Sequence, residues 1–560
     1  MTRRTILILA GVLLVQSIIV ALVFSPRPHG GGDNAGYISL AHSLLDRGVY
    51  SELWDLGEPP HTKYPPVFPA ILAFAIFLGA KSWVALKLIP AFSTVLAVTF
   101  TFLWARDRKG LGLGLVVALL LGLSESVVYY SQWILSDPTF LALTMAALWA
   151  FQKESKRAGV EGGPGGKAPW IVMGTGLTIL AYFTRSAGLP LAVAILLWLA
   201  LAKRWKVFAG VCAALGIPAF FWWLRASVLG GSEYVSEFWL IDPYSPGLGN
   251  VGPGGLLDRL IENLVAYATD IIPAGVVGDG MALILPLGIG LGLVTIVGWI
   301  RSLREGVGPA EIFFPAYLGI ILLWPPAWSG DRFALPLLPL IFFYSGVALL
   351  WLLGALPRKI RLAGLAGLTL VLALPAGQQV AAMAETAGSC RQLTRVGIPR
   401  ECLSSAQSEY FDLAEWSGEN LPDGAVVTTR KPRIFFLMSG VKTQSLPLET
   451  DTDEFLARVR EGGSRYVTLD NMDGSGYYVY PVLLEHFSSF CGLVRIEGSG
   501  EIGTHLLGWE DAGTVIGQGD VDSDSLRRCS PEWLRPRPRD RVSIEGWEIP
   551  LLAQDQEGGE

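Results

Sequence analysis

The stretch that decides the fold is HGGGDNAGY, residues 29–37, which joins an apolar N-terminal segment to an amphipathic run through three glycines and the carboxylate of Asp33. From Tyr37 onward, apolar residues recur at the i, i+3, i+4, i+7 spacing of one helix face, and Gly48 stands where a helix C-cap is expected. The pattern predicts a surface helix over residues 34–47 with Asp33 as its N-cap. The side-chain-free glycines permit a ligand to approach the backbone closely. Asp33 is therefore interpreted either as a plain cap or as a functional carboxylate.

Composition places the chain among membrane proteins with several spans. Of 560 residues, 51% are hydrophobic and only 16% are charged, and the mean hydropathy is +0.45. These values lie outside the usual range of soluble domains. The long apolar runs stop near residue 380, which predicts a transmembrane domain over 1–380 and a separate domain over 381–560. The net charge of −6 argues against a nucleic-acid partner.

Apolar stretches suited to crossing a bilayer number about eleven. Lys and Arg gather in alternate connections between them, so the positive-inside rule predicts a cytoplasmic N-terminus and an extracytoplasmic C-terminal domain. Residues 66–79 contain Pro69 and are too short for a span, so we expect an interfacial helix there. The predicted spans cover residues 6–24, 83–105, 111–130, 136–152, 170–184, 187–202, 207–225, 281–300, 310–326, 333–353 and 362–378.

The region after residue 380 is predicted to be a compact α/β domain. Its patterns indicate a small, partly parallel sheet, and the last thirty or so residues are expected to be loosely ordered. Four of the five cysteines lie here, which in an oxidising compartment predicts two disulfides. Three connectivities are open, and proximity favours Cys390 with Cys402 and Cys491 with Cys529; four free thiols are the alternative. The predicted helices cover residues 406–419, 432–439 and 452–461, and the strands cover 425–429 and 465–470.

Charged and polar side chains at the predicted outer ends of the spans form a candidate site. One interpretation is that they pair with one another or mark the membrane boundary. The other is chemical: moving a sugar from a lipid phosphate to an acceptor requires a base and several cations that hold the phosphate. We expect the site on one outward face, with Asp33 as the base and Lys63, Arg185 and Arg332 as phosphate ligands. Its members are Asp33, His61, Lys63, Asp137, Arg185, Asp331 and Arg332.

Five short motifs follow one another along the chain: Asp33 with Tyr37 and AHSLLDRG at 41–48, KYPP at 63–66, SDPTF at 136–140, LAYFTRSAGLPLA at 180–192 and DRFALPLLPL at 331–340. In this order the motifs resemble those of the protein O-mannosyltransferase and aminoarabinose transferase superfamily. They cover the membrane part, roughly residues 1–380. The superfamily consists of GT-C fold glycosyltransferases that use polyprenyl-phosphate sugars. The tail stretch VVTTRKPR, residues 426–433, resembles the outer domain of many bacterial relatives, and this likeness assigns it no role.

The resemblance implies roles for individual residues. Asp33 matches the catalytic base of the superfamily, and Lys63, with His61 close by, matches its basic residue before a diproline. Asp137 matches a second outward acid, and Arg332 matches the arginine before a Leu-Pro-rich run. The superfamily often has a second acid directly after the first, and here Asn34 takes that place. We therefore infer no metal and no cofactor, although the sequence leaves a divalent ion open.

The resemblance implies an inverting glycosyltransferase of the cell membrane that moves a hexosyl or pentosyl group from a polyprenyl-phosphate donor to a protein, lipid or glycan. We expect Tyr37 close to its site, and aromatic residues of the stretch 226–280 to stack on the sugar or to anchor at the interface. A transporter or lipid flippase is the first alternative, but transporters place ionisable groups near the membrane midplane, whereas these charges lie at helix ends. The second is a noncatalytic scaffold.

Overall fold

The computed structural model describes residues 3–161, 169–279, 284–395, 402–472, 474–496, 503–510 and 527–536. The contacts divide the chain into two compact units, each discontinuous in sequence. The helical unit comprises Met1–Ser25, Thr62–Phe68 and Lys87–Ser389. The sheet unit comprises Pro26–His61, Pro69–Leu86 and Cys390–Glu560. The segment after the first apolar helix thus packs with the C-terminal part of the chain.

Helices dominate the described residues, and their bounds follow the apolar patterns of the sequence. In chain order they are α1 (Arg3–Val23), α2 (Gly32–Arg47), α3 (Val67–Phe77), α4 (Trp83–Lys109), α5 (Leu111–Leu123), α6 (Glu125–Tyr130), α7 (Asp137–Glu161), α8 (Pro169–Thr184), α9 (Leu189–Leu201), α10 (Trp205–Val228), α11 (Glu233–Trp239), α12 (Pro253–Ala266), α13 (Ile272–Val277), α14 (Ile284–Glu305), α15 (Pro309–Leu323), α16 (Asp331–Ala334), α17 (Leu338–Leu352), α18 (Arg358–Arg395), α19 (Ser405–Asn420), α20 (Pro432–Ser439), α21 (Thr452–Glu461) and α22 (Ser475–Glu485).

Seven helical stretches within the described ranges are long and apolar enough to cross a membrane. One of them, Pro253–Val277, lies inside the stretch 226–280, where the sequence pattern predicted no span. Arg259 and Asn263 interrupt its apolar run, and both side chains are buried because they donate hydrogen bonds to backbone carbonyls. The stretch 111–130 is not one helix, because Ser124 separates α5 from α6. The direction in which each helix crosses stays a prediction.

The helical unit has a close-packed core in which glycines let helices approach. A Cβ atom at Gly298 of α14 would lie 1.8 Å from the carbonyl oxygen of Tyr344 on α17. A Cβ atom at Gly174 of α8 would lie 2.7 Å from the ring of Phe151 on α7. These two helix pairs therefore depend on the absence of a side chain at one position each.

The sheet unit is built on five strands in the order β2-β1-β3-β5-β4. Strands β1, β2 and β3 are parallel, whereas β5 runs antiparallel to both β3 and β4, which confirms the predicted partly parallel sheet. Directly after β3, Asp470 is buried and accepts hydrogen bonds from the Met472 amide and the Thr468 hydroxyl, both at 2.8 Å. The strands are β1 (Val426–Thr429), β2 (Lys442–Ser445), β3 (Tyr466–Leu469), β4 (Phe490–Ile496) and β5 (Thr504–Trp509).

Both predicted disulfides are confirmed: Cys390 is bonded to Cys402 and Cys491 to Cys529. Cys212, on α10, is free. The prediction of loose order at the C-terminus falls mainly on residues 537–560, which lie outside the described residues. Just before them, Trp533 is buried and accepts a hydrogen bond from the Tyr466 hydroxyl at its carbonyl oxygen.

Candidate functional site

Asp33 lies in the first turn of α2. The helix begins at Gly32 with Gly31 as its N-cap, so the prediction that Asp33 is the N-cap was wrong. The helix starts earlier because Gly31 adopts an extended conformation and its amide donates to His29 Nδ1 at 2.7 Å. The C-terminal prediction was right, since Gly48 caps α2 with a φ of 64°. The carboxylate of Asp33 therefore lies at the positive end of the helix dipole, although Asp33 does not cap the helix.

Within the sheet unit, Asp33 meets a cation from the distant end of the chain. The Arg433 Nη1 atom lies 3.7 Å from Asp33 Oδ1, and the two side chains are 19% and 29% exposed. The Arg433 guanidinium also lies over the Trp54 ring, 5.0 Å from its centroid. Sequence reasoning did not assign a role to Arg433. The sequence shows only a basic stretch around Pro432. The packing of α20 against α2, which brings Arg433 to Asp33, is visible only in the structure.

His61 and Tyr37 are interior residues of the sheet unit. His61 is completely buried, its Nδ1 lies 2.6 Å from Glu52 Oε1, and its ring contacts Tyr50 and Trp54 edge-on. Tyr37 is 3% exposed. Both side chains therefore have packing roles here, and a direct role in chemistry stays a prediction.

Asp137 and Arg185 form a buried ion pair in the helical unit. Asp137 Oδ1 lies 2.6 Å from Arg185 Nη1, and these side chains are 3% and 12% exposed. Arg185 also donates to the Ser136 hydroxyl at 3.3 Å. For these two residues the structure agrees with the interpretation that the outer charges pair with one another.

Arg332 lies next to this pair through a shared aromatic ring. The guanidinium of Arg185 is 5.4 Å from the centroid of the Phe333 ring, and that of Arg332 is 4.9 Å from it. Asp331 accepts hydrogen bonds from the hydroxyls of Ser126 and Tyr130, which fixes the start of α16 on α6. Two of the three predicted phosphate ligands thus lie around one ring.

Lys63 lies in an acidic and aromatic setting that sequence reasoning missed. Its ammonium group forms an ion pair with Glu237, and Glu233 lies 3.9 Å away. The rings of Trp328 and Tyr234 lie 5.3 and 5.7 Å from Lys63 Nζ. The signal in the sequence was the i, i+4 spacing of two glutamates within the aromatic stretch 226–280.

The acidic helix α11 is held in place from its C-terminal side. Arg259 on α12 donates to the carbonyl oxygen of Phe238 at 2.6 Å and to that of Leu240. Tyr234 contacts Tyr64 and Trp324 edge-on, so α11 is also tied by its aromatic residues. The carboxylate of Glu237 therefore faces Lys63 from a fixed element.

The seven predicted site residues divide between the two units. Asp33 and His61 belong to the sheet unit, and the other five, Lys63, Asp137, Arg185, Asp331 and Arg332, belong to the helical unit. The helical unit thus carries a group of basic side chains, suited to anionic oxygens, and the sheet unit carries a partly exposed carboxylate. That all seven share one outward face stays a prediction.

No protein-family model and no curated protein matches this chain. Solved structures do. The oligosaccharyltransferase of Archaeoglobus fulgidus, in complex with Zn and sulfate, is 16% identical with a TM-score of 0.57, over 89% of this chain and 73% of that one. The archaeal oligosaccharyltransferase AglB from Archaeoglobus fulgidus, in complex with an inhibitory peptide and a dolichol-phosphate, is 16% identical with a TM-score of 0.54, over 99% of this chain and 79% of that one.

ArnT from Cupriavidus metallidurans bound to undecaprenyl phosphate is 13% identical, with a TM-score of 0.54, over 93% of this chain and all of that one. These likenesses span both the helical part and the sheet-containing part. They confirm, at the level of fold, the resemblance seen in the motifs. The chain has the GT-C fold that the archaeal oligosaccharyltransferase and ArnT share.

Proposed function

We propose that this protein is a membrane glycosyltransferase that moves a sugar from a polyprenyl-phosphate donor to an acceptor on the extracytoplasmic face, with inversion. The observation that carries the proposal is the position of Asp33, a partly exposed carboxylate in the first turn of α2, within a GT-C fold. The similar structures contain a dolichol-phosphate and undecaprenyl phosphate, which supports a lipid phosphate donor. The transport alternative gains no support from them.

In the proposed reaction, Asp33 accepts the proton of the acceptor nucleophile as that nucleophile attacks the anomeric carbon. The bond between the anomeric carbon and the phosphate oxygen breaks, and its electron pair leaves with the polyprenyl phosphate. A single displacement of this kind inverts the anomeric configuration. General-base assistance of this type contributes about 10²- to 10⁴-fold to the rate.

Lys63, Arg185 and Arg332 are proposed to bind the donor phosphate, where negative charge develops as the bond breaks. Arg185 and Arg332 already lie around the Phe333 ring. Lys63 forms an ion pair with Glu237, so the donor phosphate has to displace that carboxylate before it binds Lys63. Asp137 holds Arg185 in position through its ion pair.

The transferred group is proposed to be a hexose or a pentose, and the acceptor a protein, lipid or glycan. The reaction as proposed uses no cofactor. The tail is proposed to be extracytoplasmic because the basic connections alternate along the sequence and because two disulfides require an oxidising compartment.

The test uses membranes that contain the full-length protein, supplied with radiolabelled undecaprenyl- and dolichyl-phosphate-linked hexoses and pentoses. We expect a labelled product that chromatography separates from the donor, formed at least about 100-fold more slowly in Asp33→Asn at equal expression. Asp46→Asn is the matched control, since Asp46 lies on the same helix and pairs with His42 at 2.8 Å. Undiminished transfer by Asp33→Asn would remove the proposed base.

A further inference from the structure

We infer that Arg433, carried by the C-terminal part of the chain, is a positioning residue that orients the Asp33 carboxylate and supplies its counter-charge. This inference rests on the proposed function, in which Asp33 is the base. Arg433 acts through Asp33 and takes no proton itself. Its guanidinium is a planar fork that stays charged at any physiological pH, which suits it to hold a carboxylate in one orientation.

The backbone of α2 leaves room for this arginine. Gly36 lies three residues after Asp33, on the same face of the helix. A Cβ atom at Gly36 would lie 3.0 Å from Arg433 Cδ and 3.5 Å from Arg433 Nε. Glycine inside a helix lowers the stability of the helix relative to alanine, so its presence here calls for a reason. The close passage of the Arg433 side chain toward Asp33 supplies one.

The Trp54 ring packs against the Arg433 guanidinium, and Trp54 is hydrogen-bonded to strand β2. The Trp54 carbonyl oxygen accepts from the Thr443 amide at 2.7 Å and from the Thr443 hydroxyl at 3.0 Å. The same hydroxyl lies 3.1 Å from the carbonyl oxygen of Pro432, the first residue of α20. One threonine therefore ties together the loop that carries Trp54 and the helix that carries Arg433.

Two further contacts fix the same loop to the C-terminal part of the chain. Lys442 Nζ donates to the Leu53 carbonyl oxygen at 2.6 Å and to Glu58 Oε1 at 2.7 Å. On the other side of Asp33, a Cβ atom at Gly30 would lie 2.6 Å from Gln407 Nε2 on α19. The chain around Asp33 is thus held by α19, α20 and β2, which makes the position of Arg433 a property of the fold.

The side chains next to Asp33 also disfavour the binding of a divalent cation. The archaeal oligosaccharyltransferase structure contains Zn, but in this chain Asn34 follows Asp33 and a guanidinium lies 3.7 Å from the carboxylate. A metal bound to Asp33 would have to lie close to a like charge. The positive charge next to the base comes from Arg433 instead, so transfer is expected to be unaffected by a chelator.

The experiment measures donor KM and kcat in membranes with the full-length protein. We expect Arg433→Met to lower kcat by about 10- to 100-fold while donor KM stays within twofold, because a misoriented base slows chemistry without weakening donor binding. Arg433→Lys, which keeps the charge, should recover part of the loss. Arg458→Met is the matched control, since Arg458 is a half-exposed arginine on α21. A kcat within twofold of wild type in Arg433→Met would overturn the inference.

The outcomes separate this inference from the proposed function. If Asp33→Asn is inactive and Arg433→Met is fully active, only the role of Arg433 fails. If Asp33→Asn is fully active, the proposed base fails and the role of Arg433 fails with it, whereas absence of transfer by the wild type from every donor would refute the proposed function itself. Should Arg433→Met be degraded by the cell, Arg433→Gln takes its place with the same expectation. Loss of wild-type transfer in EDTA, restored by a divalent ion, would contradict Arg433 as the counter-charge.

Discussion

Replacement of Glu237 by glutamine should strengthen donor binding. In the structure the Glu237 carboxylate forms an ion pair with the ammonium group of Lys63, which we propose as a ligand of the donor phosphate. The donor must therefore break this ion pair before its own phosphate can bind. Glutamine has nearly the same shape and keeps a hydrogen-bond acceptor, so Glu237→Gln removes the charge of the competitor and leaves the packing of α11 intact.

The size of the effect follows from the burial of the pair. The side chains of Lys63 and Glu237 are 16% and 18% exposed, so solvent screens them less than a surface pair, which is worth about 0–1 kcal/mol. Hydrogen bonds to charged groups contribute about 1.5–3 kcal/mol. Because glutamine retains part of the interaction, we expect a gain of about 1.4 kcal/mol in donor binding. This corresponds to about a tenfold lower Kd.

The assay titrates a fluorescent short-chain polyprenyl phosphate into the detergent-solubilised full-length protein. Glu233→Gln is the matched control: Glu233 lies on the same helix, but its carboxylate is 3.9 Å from Lys63 and 42% exposed, so less than a twofold change is expected. Lys63→Met should weaken binding. In the double variant Lys63→Met/Glu237→Gln, the gain from Glu237→Gln should disappear.

A Kd that is unchanged or higher in Glu237→Gln would refute the reasoning that the carboxylate competes with the donor phosphate. A gain that persists in the double variant would show that Glu237 acts on the donor without Lys63.

Two further predictions concern stability. Burial raises the pKa of Asp470 to about 6, so its contribution to folding is complete below about pH 4 and is lost as the pH rises through about 6. Asp470→Asn should remove this loss of stability, which is about 3 kcal/mol for the wild type. Hydrogen exchange measures it as protection factors of the β3 amides, which should fall between about pH 4.5 and 7 in the wild type and not in the variant. Parallel pH profiles of the two proteins would contradict the prediction. Gly298→Ala should force α14 and α17 farther apart, because the alanine Cβ atom would lie 1.8 Å from the Tyr344 carbonyl oxygen. We expect a loss of about 1–3 kcal/mol, read as a lower melting temperature in detergent, and no loss in Gly290→Ala, where a Cβ meets nothing within 4 Å; equal melting temperatures would contradict it.

Local patterns in the sequence were sufficient for α2 and for the disulfides. The spacing of apolar residues after Tyr37 predicted α2 and its cap at Gly48, and short separations favoured the two cysteine pairings that the structure contains. The start of α2 was wrong by two residues, because Gly31 and the His29 side chain provide a start that no capping preference anticipates.

Contacts over long sequence distances could not be predicted. Asp33 lies next to Arg433, and no periodicity connects residues so far apart. The helix Pro253–Val277 was missed because Arg259 and Asn263 read as polar, whereas in the fold they bind carbonyl oxygens and are buried. The acidic setting of Lys63 depends on α11, whose position is set by Arg259 and by aromatic contacts rather than by its own sequence.

The hydrogen bond between Trp54 and Thr443 joins positions 389 apart in the sequence, which has a consequence for biosynthesis. Trp54 leaves the ribosome 389 residues before Thr443, on the strand that it pairs with. Until then the segment around Trp54 has no partner sheet and has to wait in an immature state or be held by a chaperone. A chain that is cut short before residue 445 would lack this support, so the catalytic role proposed for Asp33 depends on synthesis of the chain through β2.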